Sequence, residues 1–225
     1  MTSNPDSVAQ RMRDAGLPSE TLGARRAALP AAVQDLHRRA LGAIGETGRP
    51  QGAPALAADA EALGLDLPEA LAALARAELL FLTPDGRGVL GGVPFAAAPT
   101  AHQVSVHGGP TVSANCAVDA LGIGAMLGRD TDVRSVDPTS GEPITASERD
   151  GQWTWQPAGA VVFVGSRGVG TITDACCPVI NFFASAGNAL AYQRRHGLSG
   201  KVLSLPEAAL AGALVFGGLL AEATP

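Results

Sequence analysis

Apolar residues recur at helical spacing along the first third of the chain and at alternate positions in several later segments. Glycine or proline separates the helical segments, and a Pro-Asp-Gly turn separates two short apolar runs that predict a hairpin. The predicted helices cover residues 31–44, 54–63 and 68–79, and the predicted hairpin strands cover residues 80–82 and 88–90. Three helices followed by a hairpin predict a winged-helix-like domain over residues 30–93, after a leader of residues 1–29 that is helical or frayed.

The second half mixes strand-like and helix-like patterns after a linker rich in proline and alanine. Strand patterns cover residues 101–106, 131–136, 143–147, 153–156, 160–165 and 201–205. Helical patterns cover residues 113–127, 182–196 and 206–220. The mixture predicts a catalytic α+β domain over residues 100–225, so the fold class of the whole chain is α+β.

Composition and charge narrow the class of protein. Hydrophobic residues make up 46% of the 225 residues and charged residues 16%, which is enough apolar material for a folded core. The net charge of −5 argues against nucleic-acid binding, because that affinity usually depends on a basic surface. The polar first residues lack the features of a signal peptide, and no apolar run is long enough to span a membrane. These patterns predict a soluble cytoplasmic protein, with neither nucleic acid nor membrane among its partners.

The segment that begins at Cys116 carries the first candidate chemistry. Cys116 and Asp119 are three residues apart at the start of a predicted helix, so their side chains share one face. A helix N-terminus lowers the pKa of a thiol, whereas the charge of a nearby carboxylate raises it. The pair therefore acts best when the thiol and the carboxylate share one proton, as a nucleophile with its own proton carrier. The alternative is a buried structural cysteine beside an aspartate that only begins the helix.

Two adjacent cysteines, Cys176 and Cys177, carry the second candidate chemistry. Pro178 favours an extended backbone at Cys177, and adjacent side chains of an extended segment point to opposite sides. The sequence therefore predicts that only one of these thiols faces any given pocket. The alternatives are one core cysteine with one site cysteine, or two core cysteines.

Together, two segments resemble the organomercurial (alkylmercury) lyases of the MerB family. They are Cys-Ala-Val-Asp at residues 116–119 and Cys-Cys-Pro-Val-Ile-Asn-Phe-Phe-Ala-Ser at residues 176–185. The resemblance implies an active site formed by Cys116, Asp119 and Cys176. It implies protonolytic cleavage of the carbon–mercury bond of R–Hg⁺ to R–H and Hg²⁺, a reaction of mercury detoxification.

The resemblance also implies how the product is held and released. Hg²⁺ is expected to bind Cys116 and Cys176, with Asp119 as a further ligand, and no organic cofactor is needed. An external thiol releases the ion, or a mercuric reductase receives it. Cys177 matches a family cysteine that is not essential. The chain is expected to be a monomer or a homodimer.

Two alternative functions belong to other classes. A winged-helix regulator could sense a soft metal through its cysteines, but the third predicted helix carries Glu69, Arg76 and Glu78, a net charge of −1 that disfavours DNA. A soft-metal-binding protein without lyase activity would not need a proton carrier, and the presence of Asp119 argues against it. In the lyase interpretation, residues 30–93 are expected to cover the site and contact the helix that follows Cys116.

Overall fold

A computed structural model describes residues 4–18 and 21–221 of the chain. Its N-terminal part consists of helices that precede a two-stranded hairpin. The helices are α1 (Pro5–Asp14), α2 (Leu22–Ala27), α3 (Ala31–Thr47), α4 (Ala53–Ala62) and α5 (Leu67–Arg76), and the strands are β1 (Phe81–Leu82) and β2 (Val89–Gly91). The order of α3, α4, α5 and the hairpin is the one that the sequence predicts. Its likeness to a winged-helix domain stays a prediction.

In the described part of the chain, the residues after β2 form two antiparallel sheets and three α-helices. The strands are β3 (Gln103–Val106), β4 (Thr111–Ser113), β5 (Thr131–Val136), β6 (Pro143–Arg149), β7 (Gln152–Gln156), β8 (Val161–Ser166), β9 (Asn181–Phe183) and β10 (Ser199–Ser204). The helices are α6 (Ala117–Leu127), α7 (Ala186–His196) and α8 (Leu205–Phe216). One sheet has the order β4-β3-β5-β6-β7 and the other has the order β10-β8-β9. The fold is therefore α+β, as predicted.

Helix α6 has a central place because it contacts strands β3 and β5 of the larger sheet and also packs against α8. The two helices approach closely at a pair of glycines. A Cβ atom on Gly212 would lie 2.8 Å from the backbone nitrogen of Gly122. A larger residue at either position would force the helices apart. This contact fixes the position of α6, whose first turn carries Cys116 and Asp119.

A single cluster of buried apolar residues joins the helical N-terminal part to the α+β part. It includes Leu36 and Leu71 from α3 and α5, and Val104 and Leu121 from β3 and α6. Gly45 of α3 also lies against the side chain of Leu127 at the end of α6. The division of the chain into domains at residues 93–100 stays a prediction, since the two parts share this core.

Two predicted helices begin later in the structure. Residues 111–113 pair with β3 as a strand, so the helix predicted from residue 113 begins at Ala117. Residues 181–183 pair with β8, so the helix predicted from residue 182 begins at Ala186. In both cases pairing with the preceding strand, β3 for residues 111–113 and β8 for residues 181–183, overrides the helical spacing of the local sequence. The leader, predicted to be helical or frayed, contains helices α1 and α2 in its described residues.

The structure contains no helix, among its described residues, with the length and apolar character that a membrane crossing demands.

Candidate active site

The first turn of α6 places Cys116 and Asp119 side by side. Cys116 precedes the helix with an extended backbone, and its sulfur accepts a hydrogen bond from the backbone nitrogen of Asp119 at 3.5 Å. Cys116 thus caps the helix in the way that serine or aspartate commonly does. Both side chains are buried. The predicted pairing of this thiol with this carboxylate is therefore present.

A second thiol completes a cluster with them. The sulfur atoms of Cys116 and Cys177 and a carboxylate oxygen of Asp119 all lie within 4.8 Å of one another. Cys177 belongs to a connection between β8 and β9 that forms a π-helical turn at Ile172–Cys176 and a 3₁₀ turn at Cys177–Val179. Two soft sulfur atoms and one carboxylate at this spacing form a site that suits a thiophilic metal ion.

Cys176 lies beside this cluster and lines the same cavity. Its thiol interacts with the hydroxyl group of Ser166 at the end of β8, and this hydrogen bond favours the thiolate. Burial has the larger effect and raises the pKa of Cys176, as do the charges of Cys177 and Glu78. Of the predicted site residues, Cys116 and Asp119 are brought together directly. Cys177, rather than Cys176, is the third member of the cluster in the described residues.

The expected orientation of the two adjacent cysteines was wrong. Cys177 adopts right-handed helical dihedral angles, φ −53° and ψ −41°, although a proline follows it. Consecutive side chains on a helical turn are about 100° apart rather than on opposite sides. Both thiols can therefore line one cavity.

Burial governs the protonation of Cys116 and Asp119. Loss of solvent raises the pKa of Cys116 well above its usual range, and a hydrogen bond with Cys177 and the charge of Asp119 raise it further. The expected lowering by the helix N-terminus is present as the hydrogen bond from the Asp119 backbone, but it is the smallest of these effects. Burial also raises the pKa of Asp119 to about 7, against hydrogen bonds from Cys116 and Asn115 that lower it. Near neutral pH the pair therefore holds a proton that the thiol and the carboxylate can share.

One oxygen of Asp119 is left available for chemistry. Its Oδ2 atom is buried and has no hydrogen-bond partner within residues 4–18 and 21–221. A buried carboxylate oxygen without a partner is costly in a folded protein and commonly marks a functional position. Asn115 hydrogen-bonds both to Asp119 and to the carbonyl of Pro94, and so links the carboxylate to the segment before β3.

The cluster lies in a cavity of about 170 Å³ whose other walls are mainly apolar. Helices α1 and α2 close one side of it, through residues that include Val8, Met12 and Leu22. Arg11 fastens α1 to the rest of the protein, since its guanidinium group donates to Glu207 Oε1 and to the carbonyl of Val202, each at 2.6 Å. The expected cover by residues 30–93 is limited to Val93 among the residues that line the cavity.

Sequence patterns alone do not reveal this role of the leader. Val8 and Met12 are four residues apart, and Asn4 with Pro5 forms a helix start that could have been recognised. The spacing predicts a helix but not its position. Only the packing of α1 against α8 and β10 places it over the thiols.

Glu78 connects the N-terminal part to the turn that carries the cysteines. Its Oε2 atom accepts a hydrogen bond from the backbone nitrogen of Ile172 at 2.8 Å and lies 3.1 Å from Nη1 of Arg25. The backbone of Glu78 has a φ of +58°, a conformation that residues other than glycine rarely adopt. A residue held in this region is generally fixed by its surroundings. No sequence signal marks Glu78 as part of the site.

We expect Glu78→Ala to loosen the turn at residues 172–177. The loss of the acceptor for Ile172 should increase amide hydrogen exchange in this turn at least tenfold, measured by mass spectrometry. Glu78→Gln keeps an acceptor oxygen and should increase exchange less. Glu61→Ala removes an exposed carboxylate from α4 and serves as the control. Unchanged exchange in Glu78→Ala would mean that the turn is held by its own contacts.

The aromatic pair that follows the cysteines belongs to the core. Phe182 packs against His102, with ring centres 5.7 Å apart, and Phe183 packs against Tyr192 at 5.2 Å. His102 is buried, its Nδ1 lies 2.9 Å from Ser135 Oγ, and burial lowers its pKa to about 4. These side chains support the strands behind the site rather than shielding it.

Comparison with known proteins identifies the family. Residues 95–217, more than half of the chain, match the family model of MerB, the alkylmercury lyases. This chain belongs to the alkylmercury lyase family. The matched region contains Cys116, Asp119, Cys176 and Cys177, so the whole cluster lies inside the part of the chain that defines the family.

Individual relatives agree with this membership. The chain is 33% identical over 133 residues to an alkylmercury lyase of Bacillus cereus and, to the same extent, to one of Clostridium butyricum. Each match covers 58% of this chain and 60% of the relative, so it spans less than two thirds of these curated alkylmercury lyases.

The fold also matches that of a solved structure. The crystal structure of the mercury-bound form of MerB2 superposes with a TM-score of 0.73 at 21% sequence identity. The superposition covers 96% of this chain and 100% of that chain. The agreement therefore extends over helices α1–α5, which the family model does not cover.

Proposed function

We propose that this chain is an organomercurial lyase that cleaves the carbon–mercury bond of R–Hg⁺ by protonolysis. One observation carries the proposal. Two thiols and a carboxylate with a raised pKa meet within 4.8 Å at one end of a mainly apolar cavity. This arrangement offers soft ligands for the mercury, a proton for the carbon and an apolar space for the organic group.

The first step of the proposed reaction binds the substrate. The Cys116 thiol gives its proton to Asp119 and binds the mercury of R–Hg⁺ as a thiolate. A second thiolate then binds the same mercury after its own proton leaves to solvent. Two thiolates increase the electron density on mercury and weaken its bond to carbon.

The second step breaks the carbon–mercury bond. The electron pair of that bond stays with the carbon, which takes the proton held by Asp119 and leaves as R–H. Mercury remains Hg²⁺ throughout, bound to two sulfur atoms and close to the Asp119 carboxylate. One of the two thiol protons ends on the hydrocarbon and the other in solvent, so no oxidant or reductant is required.

We propose that Cys176 supplies the second thiolate, as the family resemblance implies. Its thiol belongs to a residue that lines the same cavity as Asp119 and Cys116, which supports this. In the structure Cys177 occupies the third corner of the cluster while Ser166 hydrogen-bonds Cys176. We therefore expect Cys176 to give up its hydrogen bond with Ser166 when mercury binds in the cavity that both thiols line.

Paired cysteine variants test this assignment. We expect Cys176→Ser to abolish hydrocarbon release and Cys177→Ser to keep most of it, because serine replaces a thiol with little change of shape but does not bind mercury tightly. Release is measured in a single turnover, with the mercury stoichiometry determined in parallel. The reverse pattern would assign the second thiolate to Cys177, the member of the observed cluster.

The experiment that tests the function itself uses the purified, reduced protein. It is incubated with methylmercury or phenylmercury and excess thiol, and methane or benzene release is followed. Hydrocarbon release that depends on Cys116 supports the lyase. Tight stoichiometric mercury binding without release would instead mean a soft-metal-binding protein.

The proposal extends to the surroundings of the reaction. No organic cofactor takes part in these steps. External thiols remove the Hg²⁺, or a mercuric reductase receives it, and a reducing cytoplasm would keep the three cysteines free for this chemistry. In the structure all three are free thiols.

A further inference from the structure

The cavity above the thiols has two chemically different parts. Its floor consists of Cys116, Asp119, Cys176 and Cys177. Its walls are formed largely by apolar side chains of α1, α2 and α8 and of the segments beside them. When mercury is bound at the floor, the attached organic group must extend between these walls.

The size of the cavity favours an organic group as large as a ring. Its volume is about 170 Å³. An apolar cavity of about 150 Å³ in another protein binds benzene. A phenyl group would therefore fill most of this space, whereas a methyl group would leave most of it empty. Filling an apolar cavity stabilises the complex, because each buried apolar surface is removed from water.

Helix α1 supplies the wall that can limit the size of the group. Val8 and Met12 are one helical turn apart, so they face the cavity from the same side of α1. They are 1% and 9% exposed, so both are packed inside the protein. The two hydrogen bonds of Arg11, between them in the sequence, hold the helix in place. The wall is thus a fixed surface rather than a loose segment.

Helix α8 contributes a small residue to the lining of the cavity. Ala211 of α8 lines the same cavity and is 1% exposed. A small side chain at this position takes up little of the cavity, so the larger side chains of Val8 and Met12 contribute more to its width.

We propose that Val8 and Met12 determine which organic groups this site accepts, and that they leave space for an aryl group of phenyl size. The proposal rests on the lyase function proposed above, because it concerns the organic part of the same substrate. It gives the N-terminal helix a role in specificity. The reacting groups lie elsewhere, on α6 and on the turn that follows β8.

Two substitutions at Met12 change the width of the cavity in opposite directions. Met12→Trp should narrow it and lower the ratio of benzene to methane release at least tenfold, a size that one pocket contact commonly provides. Met12→Ala should widen it and raise the rate for naphthylmercury relative to phenylmercury. Release is measured in single turnovers with methylmercury, phenylmercury and naphthylmercury. Binding of each compound is measured by competition with a small thiol.

Ser7→Trp is the matched control. It places the same large side chain on the same helix at an exposed position beside Val8. We expect it to leave the ratio of benzene to methane release unchanged. If Met12→Trp does not fold, the widening variant Met12→Ala still tests the proposal, and Val8→Ala tests the other half of the wall in the same direction.

The possible outcomes distinguish failure of the proposed role of Val8 and Met12 from failure of the proposed lyase function. Equal loss for all three substrates in Met12→Trp, or an unchanged selectivity in Met12→Ala, would overturn the proposed role of the wall. If the parent protein releases no hydrocarbon from any substrate, the lyase proposal fails. The competition measurement then tests the role of Val8 and Met12 without turnover. If they limit the size of the organic group, Met12→Trp must weaken the binding of phenylmercury relative to that of methylmercury.

Discussion

Cys116→Ser is expected to abolish hydrocarbon release from both methylmercury and phenylmercury, with a loss of about 10³-fold or more, as for the removal of a nucleophile that acts together with its partners. Cys116 is the only one of the three cysteines that both caps α6 and hydrogen-bonds with Asp119. Its loss removes a mercury ligand and the thiol that shares a proton with the carboxylate. Serine is close in shape and can still accept the hydrogen bond from the Asp119 backbone.

This last point makes the variant a clean test. Because the helix cap is retained, we expect the thermal midpoint of Cys116→Ser to stay close to that of the parent. The rate is measured as single-turnover release of methane and benzene at matched mercury occupancy. A variant that folds normally and releases hydrocarbon at a tenth of the parent rate or faster would contradict the role of Cys116.

Asp119→Asn is expected to keep mercury binding and to slow hydrocarbon release by about 10²–10⁴-fold, the range found for loss of a general acid or base. Asparagine has nearly the same shape but cannot carry the proton to carbon. Both cysteine ligands remain, so the stoichiometry of bound mercury should be unchanged. Release at the parent rate would mean that the proton comes from another group or from water.

The same variant has a predicted effect on stability against pH. Burial raises the pKa of Asp119 to about 7 in the folded protein, whereas an unfolded aspartate has a pKa near 3.9. Between these values the folded state holds a proton that the unfolded chain releases. The free energy of unfolding should therefore decrease as the pH rises from about 4 to about 7.

Denaturant unfolding at several pH values measures this dependence. Asp119→Asn has no proton to lose at this position, so its free energy of unfolding should decrease less over the same interval. The difference between the two slopes isolates Asp119 from the other titrating groups. Parallel slopes would mean that Asp119 is ionised in the folded protein at low pH, and a proton-sharing pair would then be excluded.

Much of the site was predictable because part of it is local in sequence. Cys116 and Asp119 are three residues apart, and a helical first turn brings them together wherever the helix lies. Their combination with the Cys176–Cys177 pair gave the resemblance to the alkylmercury lyases, which the family match over residues 95–217 confirms. The α+β class followed in the same way, from local spacing that alternates between helical and strand-like segments.

Predictions that depended on contacts outside the local segment were less successful. The helices predicted from residues 113 and 182 begin later because β4 pairs with its hairpin neighbour β3 and β9 pairs with β8 across the turn that carries the cysteines. The orientation of Cys176 and Cys177 was predicted from Pro178 alone. The turn between β8 and β9 is instead held by residues outside it. Glu78 accepts a hydrogen bond from the backbone nitrogen of Ile172, and Ser166 forms a hydrogen bond with Cys176.

The sequence by itself determined the elements, the family and the pairing of Cys116 with Asp119, because each depends on residues close together in the chain or on a pattern of residue types. Only the tertiary structure decided three other properties. It brought Cys177 into the cluster, raised the pKa of Cys116 where a helix N-terminus alone would lower it, and placed Val8 and Met12 over the thiols. Each of these depends on burial by segments far away in the chain, and burial is a property of the packed molecule rather than of any local pattern.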